Sequence, residues 1–249
     1  MTVPEPCLSG VRVLDLTRLL PGPYASWLLR SMGAEVLRVE SPGLGDYARM
    51  MPPMLGPNSA MFHVINRGKR SITIDLKQPE GRALLLRLAA QSDVVFEQFR
   101  PGVMHRLGLG YDALREVNER VILCSLTGYG QTGPLAEAAG HDMNYQAEAG
   151  VLFLQGTRGG PPALSTPPMA DLVGAQTAVT NIVGALLRRD RTGQGAWLDV
   201  SMTDAVAGFA APFLASWNAA ALDPADAPPE RGEALLGGGL AQYSVYQTA

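Results

Sequence analysis

Gly140-His141-Asp142 sets an imidazole directly beside a carboxylate in a glycine-flanked loop, the sharpest pair of chemistry-bearing residues in the sequence. Imidazole exchanges protons near neutral pH, and an adjacent carboxylate can orient it or act itself. A purely structural loop pair is the competing reading. Asp171 also has two readings. It stands where a long apolar helix is expected to begin, so it can serve as an N-cap contributing about 1 kcal/mol. Behind Pro167, Pro168, Met169 and Leu172, its carboxyl can instead gain proton affinity, as a proton shuttle needs.

Cations form a second group. Asn66-Arg67-Gly68-Lys69-Arg70 crowds three positive charges whose repulsion a phosphate-bearing ligand would offset through charge-assisted hydrogen bonds. A solvated surface turn is the alternative. Arg38, Lys77, Arg100 and Arg106 fall near expected strand ends, so a basic rim along one edge of a sheet is expected. No glycine cradle accompanies it. The loop after the first expected strand reads Arg18-Leu19-Leu20-Pro21-Gly22-Pro23, Gly108-Leu109-Gly110 lacks a third glycine, and no G-x-x-x-x-G-K-[ST] occurs. Any phosphate must then be held by side chains. Three histidines (His63, His105, His141) with no H-x-x-x-H pair, and Cys7 and Cys124 in no ligand spacing, leave neither a metal site nor a disulfide framework to expect.

The elements that would position these residues alternate. Residues 11–16 read as a strand, the Pro21-Gly22-Pro23 turn opens a helix through Ala25, Leu28, Leu29 and Met32, and 35–39 return as a strand. The pattern repeats with strand 71–76, helix 79–90, strand 93–96, helix 111–118 and strand 120–126. A helix over 144–149, a long helix from Asp171, a strand over 197–200, a helix over 203–218 and a strand-like 243–246 complete the pass. The expected fold class is α/β, a Rossmann-like doubly wound parallel sheet with the start of a second, smaller domain, and ligands belong at the carboxyl ends of its strands. Residues 1–200 would form the large domain, and 201–249 a linker helix and the beginning of the small one, where the sequence is expected to stop short.

Composition narrows the class. The sequence is 47% hydrophobic and 17% charged, the profile of a soluble globular enzyme, and its formal charge of −3 offers nucleic acid no broad basic field. The N-terminus lacks a leader pattern and no apolar run approaches the ~20 residues of a membrane span, so a cytoplasmic protein is expected.

With these residues in view, the chain resembles the family III CoA-transferases, also called the CaiB/BaiF family, and within it the α-methylacyl-CoA racemases. The likeness runs through L-S-G-V-R-V-L-D-L-T at 8–17, G-A-E-V-L-R-V-E at 33–40, N-R-G-K-R-S-I-T-I-D-L-K at 66–77 and F-R-P-G-V-M-H-R-L-G-L-G at 99–110. It continues through L-T-G-Y-G-Q-T-G-P at 126–134, G-H-D-M-N-Y at 140–145 and R-T-G-Q-G-A-W-L-D-V-S-M-T-D-A at 191–205. The resemblance implies coenzyme A bound by Arg38, Ile74, Lys77, Gln98, Phe99 and Arg106, no cofactor beyond the coenzyme A moiety of an acyl-CoA substrate, and an interlocked homodimer with its active site between two chains. It also implies that the residue at Asp142 is the acyl-carrying nucleophile in transferases, whereas in racemases a histidine precedes it. His141 and Asp171 would then serve opposite faces of an α-carbon.

Overall fold

The computed structural model describes residues 5–222, 230–234 and 236–247. Its frame is a six-stranded, all-parallel sheet built from β1 (Arg12–Asp15), β2 (Glu35–Glu40), β5 (Arg70–Thr73), β6 (Val94–Glu97), β7 (Ile122–Thr127) and β8 (Ala196–Ser201), ordered β5-β2-β1-β6-β7-β8. Taken in chain order, these strands lie third-second-first-fourth-fifth-sixth. That is the doubly wound arrangement, with its reversal between β1 and β6, where Asp15 stands opposite Phe96. The expected α/β class with a doubly wound parallel sheet holds.

The inner strands β2, β1, β6 and β7 are buried on both faces, since successive side chains point oppositely and helices cover each side. Val13, Val36, Val94, Phe96, Ile122 and Cys124 face one core with Ala25 and Leu29 of α1 (Pro21–Ser31) and Ala175, Ala178 and Ile182 of α8 (Met169–Thr192). Leu14, Val39, Val95 and Leu123 face the other, against Leu85 and Ala89 of α3 (Pro79–Ala89) and Leu114 of α5 (Tyr111–Val117). Truncating Leu85 or Leu14, both fully buried, should cost about 2–5 kcal/mol.

Shorter elements decorate the carboxyl edge. A single turn of 3-10 helix (Tyr47–Met50), the two-stranded β3 (Met54–Leu55) and β4 (Asn58–Ser59), and α2 (Ala60–Ile65) fill a stretch that carries no periodic signal. The remaining helices are α4 (Val103–Arg106), α6 (Asp142–Glu148), α7 (Val151–Leu154) and α9 (Met202–Leu222), the last packing on α8. By length and composition alone α8 could cross a membrane, yet it lies against α1, β7 and β8 as a core helix.

Two expectations change. The helix carrying Asp171 begins earlier, at Met169 after Pro168, so Asp171 sits inside the first turn and is not its N-cap. Residues 243–246 form no strand; the Tyr243 N–H closes a turn onto the Leu240 carbonyl at 2.9 Å.

Candidate active site

The loop leaving β1 is braced by buried charge. Asp15, fully buried, accepts from the Thr17 backbone N–H at 2.9 Å, the Thr17 hydroxyl at 2.5 Å and the Ser26 hydroxyl at 2.5 Å, and it pairs with the Lys69 ammonium at 3.4 Å. Burial alone would discourage its charge, but Lys69, Arg38 and the two hydroxyls outweigh burial and hold the carboxyl below its usual range. Next door, burial likewise opposes ionisation of Glu40, while hydrogen bonds from Arg49, Ser71 and the Asp46 N–H pull it down to about 2. Leu19 takes the left-handed conformation with φ 66°, rare for a residue with a side chain, and its N–H is held by Asp46 at 2.9 Å. Gly22 completes the brace, since a Cβ there would lie 2.2 Å from Thr17 Cβ.

This network takes Arg38 out of the expected basic rim, while Lys77, Arg100 and Arg106 remain exposed. Arg38 is 1% exposed, bonded to Asp46, to Asn66 Oδ1 at 2.5 Å and to the Thr17 carbonyl at 3.3 Å. Lys69 is equally enclosed, with Pro23 O, Ser26 and Asn66 as further acceptors, and burial lowers its ammonium to about 8 against the pull of Asp15. Arg70 pairs with Glu35 on the surface. Two of the three cations in the 66–70 cluster, Lys69 and Arg70, are therefore matched by carboxylates within the chain.

Above this floor lies a cavity of about 310 Å³ lined by Arg18, Arg38, Asp46, Tyr47, Ile74, Lys77 and Phe99 among others. Four of the six residues expected at coenzyme A meet there: Arg38, Ile74, Lys77 and Phe99. Phe99 also lines a second cavity of about 150 Å³ together with Gln98, Arg100, Thr127, Tyr129, Gly140 and Tyr145. Gln98 directs its carbonyl oxygen to the Gly22 N–H at 3.3 Å, and Arg106 is exposed on α4, outside both linings. Arg18, Asp46 and Tyr47 were missed. Arg18 had a usable signal, its place just past the first strand at the reversal of the sheet; Asp46 and Tyr47 lie in a stretch without periodicity.

The second cavity abuts the 140–145 segment. His141 is the N-cap of α6 and is exposed; its N–H is capped by the Asn144 side chain at 3.1 Å. Asp142 opens the helix, and its carboxylate receives the Asp171 backbone N–H at 3.0 Å and the Gln146 amide. Gln146 is itself held by Ser165 at 2.9 Å and Gln155 at 2.6 Å, a chain of partners that sequence spacing did not reveal. The fold thus brings α6 and the first turn of α8 together and sets two carboxyl groups side by side. Among the described residues neither Asp142 nor Asp171 has an ion pair. Burial, and then the neighbouring Asp142, push the Asp171 carboxyl up to about 7. The Tyr145 phenol, bonded to Gly140 O at 2.5 Å, is raised to about 12 by burial and by Asp171. No group of three His, Cys, Asp or Glu side chains among the described residues could hold a metal ion.

A doubly wound parallel sheet with a cavity at its reversal and two neighbouring carboxyl groups at the starts of two helices defines an α/β protein with a candidate ligand site. The family model for CoA-transferase family III matches residues 8–249, and the chain belongs to that family. It is 40% identical to the α-methylacyl-CoA racemase of Homo sapiens over 97% of this chain and 59% of that protein. It is also 40% identical to the acetyl-CoA:oxalate CoA-transferase of Acetobacter aceti over 89% of this chain and 57% of that one. A CaiB/BaiF family protein from Brucella suis superposes with a TM-score of 0.85 at 37% identity, covering 92% of this chain and 60% of that structure. The chain spans less than two thirds of the length of these relatives. The family is enzymatic, and one racemase and several CoA-transferases appear among these relatives.

Proposed function

We propose that this chain carries the proton-transfer machinery of an α-methylacyl-CoA racemase-like isomerase, which inverts the α-carbon of a 2-methylacyl thioester. The observation that carries the reading is Asp171: a carboxyl group without an ion pair among the described residues, half-buried beside Asp142, and raised to about 7. A thioester carbonyl acidifies its α-hydrogen, and two groups on opposite faces can then exchange that proton through a planar enolate. One face requires a base and the other an acid at the same moment. A carboxyl with affinity near 7 is populated in both states at neutral pH, so Asp171 serves either direction, with His141 on the other face. Asp142, occupied by two N–H donors, then orients Asp171 through its backbone.

Coenzyme A would lie in the larger cavity beside Lys77, Ile74 and Arg18, with Arg38 beneath and Arg106 at the edge, and its thioester arm would pass Phe99 and Gln98 toward Gly140. No cofactor beyond that moiety is needed. The working assembly would be an interlocked homodimer in the cytoplasm, with no nucleic-acid or membrane partner. The number of transferase relatives favours a second reading, transfer of coenzyme A between carboxylic acids with Asp142 as the acyl-carrying nucleophile.

Incubation of one epimer of a 2-methylacyl-CoA in deuterated water separates the two. Deuterium at C2 without any acceptor acid is the expected result. Product formation only when an acceptor carboxylate is added would replace isomerisation with transfer.

A further inference from the structure

The strand ends around the larger cavity share one device. A carboxylate at or near the end of a strand accepts the N–H two residues on: Asp15 from Thr17 at 2.9 Å, Asp75 from Lys77 at 3.0 Å and Glu97 from Phe99 at 2.7 Å. Each turn delivers its last residue, Thr17, Lys77 or Phe99, to the same cavity wall. Asp15 is ion-paired and belongs to the buried brace, and Asp75 is only half-buried. Glu97 differs from both. It is the last residue of β6, is 3% exposed and has no ion pair among the described residues.

An unpaired buried carboxyl is expensive, so something specific must retain it. Its partners are the Ser125 hydroxyl, directly opposite on β7, and the Phe99 N–H; Ser125 in turn receives the Trp197 indole N–H at 3.0 Å from β8. Three strands thus converge on one turn. The residue inside that turn, Gln98, reaches across the sheet reversal to the Gly22 N–H in the first turn of α1, a helix whose N-cap residue offers no side-chain bond. Phe99 is the side chain common to both cavities.

We propose that Glu97 is a positioning residue for coenzyme A: by fixing the 97–99 turn it sets Phe99 as the wall between the two cavities and Gln98 against α1. The assignment rests on the coenzyme A reading of the larger cavity. Burial pushes the Glu97 carboxyl up to about 7, so an uncharged amide is a fair replacement for it. Glu97→Gln keeps an acceptor for Phe99 N–H at the same reach. Glu97→Ala removes it, and Glu97→Asp withdraws it by one methylene.

Titration of the 249-residue chain with coenzyme A in a calorimeter, paired with the melting temperature of each variant, tests this. Glu97→Gln should bind within about twofold of the parent, because one acceptor replaces another, while Glu97→Ala and Glu97→Asp bind about tenfold more weakly, the size of one lost hydrogen bond. A purely structural role would lower the melting temperature of the Asp and Ala variants and leave their Kd unchanged, which would overturn the assignment alone. Failure of the parent chain to bind coenzyme A would overturn the cavity reading and this assignment with it. Should the Ala variant not fold, the comparison of Gln with Asp decides.

Discussion

Two groups of enclosed carboxylates lie at the carboxyl edge of one sheet, and the chain treats them in opposite ways. Asp15, Glu40 and Asp46 are matched by Lys69, Arg38 and Arg49, and those acids whose proton affinity is displaced are displaced downward. Asp142, which accepts two N–H donors, is set beside Asp171 with no ion pair to either among the described residues, and Asp171 is displaced upward. The first arrangement fixes charge permanently and stiffens the loops that floor a cavity. The second leaves charge unsettled near neutral pH, which is costly for a fold and useful for moving a proton.

Removing the proton-handling carboxyl should give the largest effect. Asp171→Asn is expected to lower deuterium exchange at C2 by about 10²–10⁴-fold, the usual contribution of a general acid or base, with coenzyme A affinity within about twofold of the parent. Breaking the matched group should instead cost stability. Lys69→Met leaves Asp15 buried without its cation and should destabilise the chain by about 3–5 kcal/mol in urea denaturation, with Lys69→Arg losing less.

A smaller effect separates the groups by pH. Glu40, lowered from 4.5 to about 2, contributes stability that is present above 4.5 and lost as the pH falls through about 2. Asp171, raised from 3.8 to about 7, works in the other sense: the folded chain holds a proton the unfolded chain has released, so stability declines as the pH rises from about 4 to about 7. Denaturation midpoints measured across this range should show that decline in the parent and a flatter profile in Asp171→Asn. The smallest expected change is a gain. At pH 8 Asp171→Asn should stabilise the fold by about 1 kcal/mol, seen as a few degrees in Tm, since it removes an unmatched buried charge.

Much of the fold was legible because its signals are local. Alternating apolar runs and helical stripes marked the six parallel strands and most of the longer helices, and the motif residues fell at strand ends as the doubly wound pattern requires. The hairpin over 54–59 and the short α2 were not, since two-residue strands carry no period to read. Within the candidate site, His141 and Asp142 stood out as residue types in a loop and Asp171 as a carboxylate at a helix start. The pairing of Asp142 with the Asp171 amide was not, because it joins segments distant in sequence through a backbone N–H that every residue possesses. The cation cluster at 66–70 misled for a related reason: charge density shows in sequence, but Asp15 and Asn66 closing around Lys69 is a matter of packing. Asp171 looked like an N-cap because proline stretches commonly precede helices, whereas here Pro168 itself takes that place.

The contrast between the two groups can be read directly from carboxyl-carbon NMR during a pH titration of the chain labelled at aspartate. One aspartate resonance should titrate at about 7 and vanish in Asp171→Asn, while that of Asp15 titrates below the ordinary aspartate range. An Asp171 resonance titrating in the ordinary carboxylate range, alongside unimpaired proton exchange at C2, would contradict the assignment of this residue as the proton carrier.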